Sequence, residues 1–553
     1  MGVPSLFTYL LKNCYQKLII KQQLNHPVNN LFIDGNGILH NACNEILLNY
    51  ENNFNSNKNF IIDYNILEND LINNCIKKLF DIIIHINPTN LVYIAIDGVC
   101  PNSKIIQQRL RRYKTFYDNS LINPIKQKYN KFISQWYSVN ITPGTPFMKK
   151  LNIELKNYIN QHSNQFKFKI IYSSFEEPGE GEHKIIQFIK HNINIYENIV
   201  INGLDADLIF LSLTLRNKYI FLMRNLDNTD NSNKDDLKYP YEYVCIHNLK
   251  HNIINYIINF NHNLKFDFKL LNDFIFISFL IGNDFLYHSP LFNIYDKGLD
   301  IIINTYANLK ETNDFLIQFD KNNNVSINMI FFDEFLHNLI QQEQELFNNL
   351  NNNKNKKRNL YFKNKIEKEY NSLKGYDKEI YYINNFINSK NIFDNIISFE
   401  DYKFKYYEHF EFNSNQRNLI DNMCLNYLEG ILWTTKYYFN SLSSWNWYYK
   451  FNISPFICDL SKFIQSNKFN INHINLYQPN DKPLRQNIQL LCVIPKQYLI
   501  NINHDLKKYI EDKRLSYMFP DKFDLETENE KLFWRCKPKL PIINFNLLNN
   551  IVI

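Results

Sequence analysis

The sequence predicts an α/β fold built on a largely parallel sheet. Two observations carry this: short apolar runs alternate with longer stretches of helical periodicity, and three of the runs end in, or lead into, acidic residues. Alternation of this kind is the pattern of a parallel sheet covered by helices, and sites in such sheets lie outside the carboxyl ends of the strands. In chain order the runs are Asn30 to Asp34, Leu91 to Asp97, Lys169 to Tyr172 and Asn198 to Asn202. From about Gln342 to Lys357 the chain degrades into Gln, Asn and Lys, and that character returns intermittently to about Lys390. The expected organisation is therefore a first region over 1–341, a linker or surface excursion over 342–410 and a second patterned region over 411–553. Trp433, Trp445 and Trp447 are concentrated in that second region.

Bulk properties narrow the class. With 553 residues, 45% of them hydrophobic, the chain can bury several cores, and disorder as a whole is excluded. The net charge of +6 fits a polyanionic partner without identifying one. Abundant Asn and an aromatic content of 16% read first as a codon bias toward AT-rich DNA. The nine cysteines include no C-x-x-C pair, and His40 with Cys43 or Cys245 with His247 supply only two ligands each, which argues against zinc and a disulfide framework. No signal-peptide pattern opens the chain and no charge-free run of 18 apolar residues occurs, so a soluble intracellular protein, cytoplasmic rather than nuclear, is expected.

Five segments carry carboxylates in Gly-containing contexts: Leu31-Phe-Ile-Asp34-Gly-Asn-Gly, Tyr93-Ile-Ala-Ile-Asp97-Gly, Glu177-Pro-Gly-Glu180-Gly-Glu182-His183, Gly203-Leu-Asp205-Ala-Asp207 and Ile281-Gly-Asn-Asp284-Phe. Taken singly, Asp-Gly after a strand is usually a turn and Glu-Pro-Gly-Glu a helix start. Their joint occurrence, in order on an α/β pattern, points to one acidic site instead. Glu180 and Glu182, like Asp205 and Asp207, are two apart, which in extended backbone puts both side chains on one face. That many acids packed without counter-charge would raise one another's pKa and pay for desolvation. Hard oxygen ligands select Mg²⁺ or Mn²⁺, and two such ions about 3.5–4 Å apart can activate water and stabilise the leaving oxygen of a phosphodiester.

The stretch Lys104-Ile-Ile-Gln-Gln108-Arg109-Leu-Arg111-Arg112 follows Asp97 by seven residues. As a helix it presents Lys104, Gln108, Arg111 and Arg112 in one stripe. A solvated charged face is the ordinary reading of such a stripe. Beside a metal site, it can instead grip a terminal phosphate.

These segments, with Met1-Gly2-Val3-Pro4, Ile141-Thr-Pro-Gly-Thr145, Tyr427-Leu-Glu-Gly430 and Ser444-Trp-Asn-Trp-Tyr-Tyr449, resemble the motifs of Xrn-type 5′→3′ exoribonucleases in that family's order. The resemblance covers the chain outside about 342 to 410. It implies a PIN/flap-endonuclease-like sheet extended by a largely helical second region that walls the site, so that only a single-stranded 5′ end enters. It further implies that Asp34, Asp97, Glu180, Glu182, Asp205, Asp207 and Asp284 hold two Mg²⁺ or Mn²⁺ ions. Lys104, Gln108, Arg111 and Arg112 would form the 5′-phosphate pocket. His40 and one tryptophan, Trp447 in preference to Trp445, would sandwich the terminal base. The substrate would be single-stranded RNA with a 5′-monophosphate, degraded to mononucleotides by a monomeric enzyme. The long carboxyl-terminal modules of large family members are missing from these 553 residues, and the Asn-rich minimal form suggests a parasite, a protist or a large DNA virus. Two other readings stand beside this one: a flap-endonuclease-like enzyme cutting branched DNA, disfavoured by the basic stripe and the Trp-rich second half, and a catalytically inactive RNA-binding scaffold, disfavoured by the intact acids.

Overall fold

The computed structural model describes residues 6–14, 18–20, 24, 26–57, 60–192, 197–203, 206–216, 219–225, 241–294, 297–350, 364–385, 396, 398–410, 417–477, 481–527 and 533–552. Its centre is a seven-stranded sheet of β1 (Ile19–Ile20), β2 (Asn30–Asp34), β3 (Leu91–Ala95), β4 (Lys169–Ser173), β5 (Ile199–Asn202), β6 (Ile220–Asn225) and β7 (Tyr241–Cys245). The order is β1-β7-β6-β5-β2-β3-β4. From β2 the chain steps outward through β3 to β4, all parallel, then returns to lay β5 and β6 parallel on the other side of β2. β7 closes antiparallel to β6, and β1 antiparallel to β7. The order reverses at β2, so the crevice at the carboxyl ends of β2, β3 and β5 is a topological switch point. All four expected runs are strands, and the mostly parallel sheet flanked by helices is as the sequence predicts.

The connecting helices follow from local chemistry. Helix α1 (Gly35–Ser56) starts on the residue after β2. Helix α2 (Tyr64–Ile86) is capped by Asp63, whose carboxylate accepts from the N–H groups of Asn65 and Ile66. Helix α3 (Asn102–Lys128) carries the basic stripe, and α4 (Pro146–His162) pairs a Thr145 cap with proline at its first position. Helix α5 (Gly181–His191) follows Glu180, and α6 (Ala206–Leu213) follows β5.

Helix α7 (Met329–Leu350) spans the end of the first region, and the second is largely helical, with α8 (Arg417–Phe439), α9 (Ile457–Asn467) and α10 (Gln486–Val493) as its main elements. It shares the core of the first. One continuous cluster runs from Phe32, Ile199 and Leu208 to Tyr427, Trp433 and Tyr438 of α8, and another joins Val99 and Ile105 to Leu490 and Val552.

The expected excursion over 342–410 needs correction at both ends. Helix α7 runs through its start, where Glu343 is fully buried and accepts from the N–H groups of Ile457 and Cys458 at 2.9 and 3.1 Å. At the other end, Ser398 caps a helix over Phe399–His409 that buries Tyr402 and Tyr407. Between them, the helix Gly375–Asn385 buries nothing, and 351–363 and 386–395 lie outside the described residues. Among the described residues no helix is long and apolar enough to cross a membrane.

Candidate active site

Six of the seven acids are described, and they converge at the switch point. Asp34 is the last residue of β2 and precedes α1 without making a side-chain cap bond to it. Two glycines let backbone approach it: a Cβ on Gly181 would come 2.6 Å from Asp34 Oδ1 and 3.4 Å from Asp97 Oδ1, and one on Gly203 would lie 3.6 Å from Asp34 Cβ. Asp97, two residues past β3, accepts from the Gly181 N–H at 2.7 Å and from Asn36 Nδ2 at 2.9 Å. Asn36 Oδ1 in turn accepts from the Asp97 N–H at 3.0 Å. Burial, then the neighbouring Glu180 carboxylate, pushes the Asp97 pKa up despite that N–H bond and the cations Lys104 and Lys184.

Glu180 and Glu182, at the start of α5, are both buried. Asp284 follows Gly282, whose φ of +88° is needed for the chain to turn back toward His288. Asp207, in the first turn of α6, is 3% exposed, and burial followed by the Asp284 charge pushes it up to about 6. Asp205 lies outside the described residues.

Lys104 stands among these acids. Its Nζ is 2.5 Å from Glu180 Oε2 and 2.8 Å from Asp284 Oδ2. Burial alone would lower its pKa, but the charges of Asp284, Glu180, Glu182 and Asp207 outweigh that and hold the ammonium well above the usual lysine range. Lys104 likewise keeps Asp284 below the usual carboxylate range against the effect of burial. Among the described residues no three acidic, His or Cys side chains form a ready cage for an ion. The donor set nevertheless fits a divalent cation: it is all carboxylate oxygen, with Glu180, Glu182 and Asp207 buried and Asp34, Asp97 and Asp284 half-buried, and the internal cation it has recruited is a flexible ammonium.

Farther along α3, Gln108 is buried and its Oε1 accepts no protein hydrogen bond. Arg111 is exposed and Arg112 half-buried, with Arg112 Nη1 buried and donating to no group of the protein. Burial, followed by Arg111 beside it, pushes Arg112 down to about 9. His40 of α1 adjoins both arginines, and burial followed by their charges pushes it down to about 4, so its imidazole is neutral at pH 7. Arg109 points elsewhere: its guanidinium donates to the carbonyls of Cys492 and Met518 at 2.8 and 2.6 Å.

The stripe is therefore divided, with Lys104 at the acids and Gln108, Arg111 and Arg112 leading away toward His40.

Trp447 departs from the sequence expectation. It is 7% exposed, stacked on Trp433 at 5.3 Å and seated over Gly430, where a Cβ would come 2.8 Å from the ring. Its Nε1 donates to Glu429. This ring is packed into the core by the glycine notch and Trp433. Trp445 is half-buried, and its carbonyl accepts from the Asn102 N–H at the start of α3.

The sequence reading passed over Asn36, Tyr437 and Tyr438. The hydroxyl of Tyr437 donates to Glu180 Oε1 at 2.8 Å, and that of Tyr438 to Asp207 Oδ1 at 2.8 Å. The available signal was the Tyr-Tyr pair closing an apolar helix, since a buried phenol needs a partner.

Comparison with known proteins identifies the family. Residues 1–226 match the family model described as XRN 5'-3' exonuclease N-terminus, and residues 265–398 and 382–552 match the Xrn1 helical domain. The chain is 26% identical to human 5'-3' exoribonuclease 1 over 98% of its own length and 33% of that protein's. It is 24% identical to 5'-3' exoribonuclease 1 of Saccharomyces cerevisiae, over 97% of this chain and 42% of that one. It is also 24% identical to 5'-3' exoribonuclease 2 of Arabidopsis thaliana, over 98% of this chain and 66% of that one. The chain thus spans about a third of the human relative's length. A solved structure of the T5 D15 protein with metal ions matches 58% of this chain and 87% of its own at 13% identity and a TM-score of 0.25, too slight a likeness to carry an argument.

Proposed function

The chain belongs to the XRN exonuclease family, residues 1–226 matching that family's N-terminal model and residues 265–398 and 382–552 its helical domain, and from that premise we propose that it is a 5′→3′ exoribonuclease acting on single-stranded RNA with a 5′-monophosphate. The observation that supports it most is one helix, α3, whose first turn puts Lys104 among the acids and whose next turns lead Gln108, Arg111 and Arg112 away beside His40. An α-helix rises about 1.5 Å per residue, so Lys104 and Arg111 are separated by about 10 Å along the axis. A nucleotide can bridge that span. A 5′-phosphate held at the arginines therefore brings the first phosphodiester toward the carboxylates.

Asp34, Asp97, Glu180, Glu182, Asp205, Asp207 and Asp284 would hold divalent metal, Mg²⁺ or Mn²⁺ and two ions in this reading. Such metal supplies the positive charge that activates water and stabilises the leaving oxygen. Arg112 offers an unspent buried donor to the terminal phosphate, and Arg111 adds a second cation at the exposed rim. Gln108 contributes an amide. His40, neutral and flat, is suited to stack on the first base, a contact that tolerates any sequence. With Trp447 in the core, the opposite face of that base falls to Trp445. The end of α8 packs against Glu180 and Asp207, and their burial strengthens each electrostatic contact there.

The test is one RNA sequence prepared with 5′-monophosphate, 5′-triphosphate, 5′-hydroxyl or capped ends, with mononucleotide release followed in Mg²⁺ and after EDTA. The monophosphate form should be consumed much faster than the others, and EDTA should stop the reaction. Equal rates on all ends, or cutting of circular RNA or branched DNA as the main activity, would overturn the proposal.

A further inference from the structure

We propose that Tyr437 and Tyr438 are positioning residues, through which the second region sets the geometry of the cation-binding carboxylates of the first. This rests on the reading of the acids as a divalent-cation site. Both tyrosines lie at the carboxyl end of α8, more than 200 positions of sequence from the two acids they reach. Neighbouring residues of a helix point about 100° apart, so one helix end can reach two different elements. Tyr437 reaches Glu180, ahead of α5, and Tyr438 reaches Asp207, in α6.

Each phenol is an obligate donor here. The carboxylate oxygen that faces each one can only accept, so the phenol supplies the proton of the bond. A carboxylate that receives such a donor on one oxygen loses rotational freedom and presents its other oxygen in a fixed direction. Glu180 shows this directly: Oε1 accepts from Tyr437 while Oε2 faces the Lys104 ammonium. Outer partners of metal-binding carboxylates act in this way.

The helix end is itself held in place from the other side. Lys190 Nζ donates to the carbonyls of Tyr438 and Phe439 at 2.8 and 3.2 Å, and Gln187 Nε2 to that of Asn440 at 2.8 Å. Both donors belong to α5, the helix that Glu180 precedes. The Tyr437 ring is stacked between Trp433 at 5.0 Å and His183 at 4.3 Å, with interplanar angles of 11° and 9°. Phenylalanine at either position keeps the ring packing and removes only the hydroxyl, which separates positioning from folding.

The experiment uses the full chain without RNA and measures Mn²⁺ binding by electron paramagnetic resonance, for the wild type, Y437F, Y438F and K190M. The Phe variants should bind Mn²⁺ about tenfold more weakly, the usual range for losing an outer partner of a metal ligand being about 10- to 100-fold. In turnover the Mn²⁺ concentration for half-maximal rate should rise by the same factor, while KM for RNA stays unchanged. K190M loosens the helix end but keeps both hydroxyls, so it should lower thermal stability and weaken Mn²⁺ binding less than either Phe variant does. Wild-type affinity in both Phe variants, or an equal loss in K190M, would overturn the proposal. A wild type that binds no Mn²⁺ would overturn the cation-site reading itself, and this inference with it.

Discussion

Replacing Arg112 by Met removes a guanidinium whose Nη1 is buried and donates to nothing in the protein. A hydrogen bond to a charged partner contributes about 1.5–3 kcal/mol, and about 1.36 kcal/mol is a factor of ten in rate. R112M should therefore lower kcat/KM on 5′-monophosphate RNA by about 10- to 150-fold. The same variant should leave 5′-hydroxyl RNA within about threefold, because that end makes no use of the donor. The free protein should not lose stability, since the lost group is a buried cation with Arg111, another cation, beside it. A second readout comes from His40, whose pKa Arg112 helps to push down to about 4. Without Arg112 the His40 pKa should rise, which NMR titration would follow. Single-turnover kinetics on the two RNAs decide the matter: an equal fall on both ends, or a fall accompanied by a lower melting temperature, would refute the assignment of Arg112 to the phosphate.

D207N should slow phosphodiester cleavage by at least about 10²-fold, the usual cost of losing an electrostatic contact made in the transition state, while RNA binding measured by filter retention persists. W447A should cost about 3–5 kcal/mol of folding stability, as expected for emptying a core aromatic site, whereas W445A should instead weaken engagement of the 5′ nucleotide by about 1–3 kcal/mol; urea unfolding and RNA-binding titrations separate the two. Burial pushes Glu343 up to about 7, against the two N–H groups it accepts from, and pushes Asp273 to about 7 as well. For carboxyls raised in this way, the folded state binds more protons than the unfolded one. Their contribution is thus fully present below the unfolded pKa and is lost as pH rises through about 7. Urea unfolding between pH 5 and 8 should show stability falling with pH, by about 2.5 kcal/mol from Glu343 alone, and less steeply in E343Q.

The sheet and its acids were legible because parallel strands advertise themselves. Leu31-Phe-Ile and Val92-Tyr-Ile-Ala are buried throughout, and an Asp that closes or follows such a run emerges at the carboxyl edge. The division of the basic stripe was not legible, since spacing gives the face of a helix and not what each turn of it meets. Lys104 and Arg112 share a face, yet one meets carboxylates and the other an arginine and a histidine. Trp447 misled for a related reason. The notch that receives it is Gly430, 17 positions earlier on another element, and only the packing of α8 against the Ser444–Tyr449 segment reveals that the glycine exists for the ring. Composition misled at Glu343, whose Gln-rich surroundings read as solvated surface although its carboxylate sits fully buried at the start of α9.

The two regions are bound together by electrostatics as much as by apolar contact. Gathered carboxylates in a buried site repel one another, and the first region answers that repulsion with Lys104. Lys104 is held at the acids because the start of α3 is fixed by the second region: the Asn102 N–H donates to the Trp445 carbonyl at 2.9 Å and Asn102 Nδ2 to that of Asn446 at 3.2 Å. The adjoining backbone is held in the same way, with the Cys100 N–H donating to Gln489 Oε1 of α10. Arg109 then ties the next turn of α3 to the carbonyls of Cys492 and Met518. The cation that makes the acidic cluster tolerable, and the arginines one and two turns beyond it, are thus aimed by residues that the sequence places hundreds of positions away. A site read from the first region alone contains the acids but not the hydroxyls of Tyr437 and Tyr438 that hold Glu180 and Asp207.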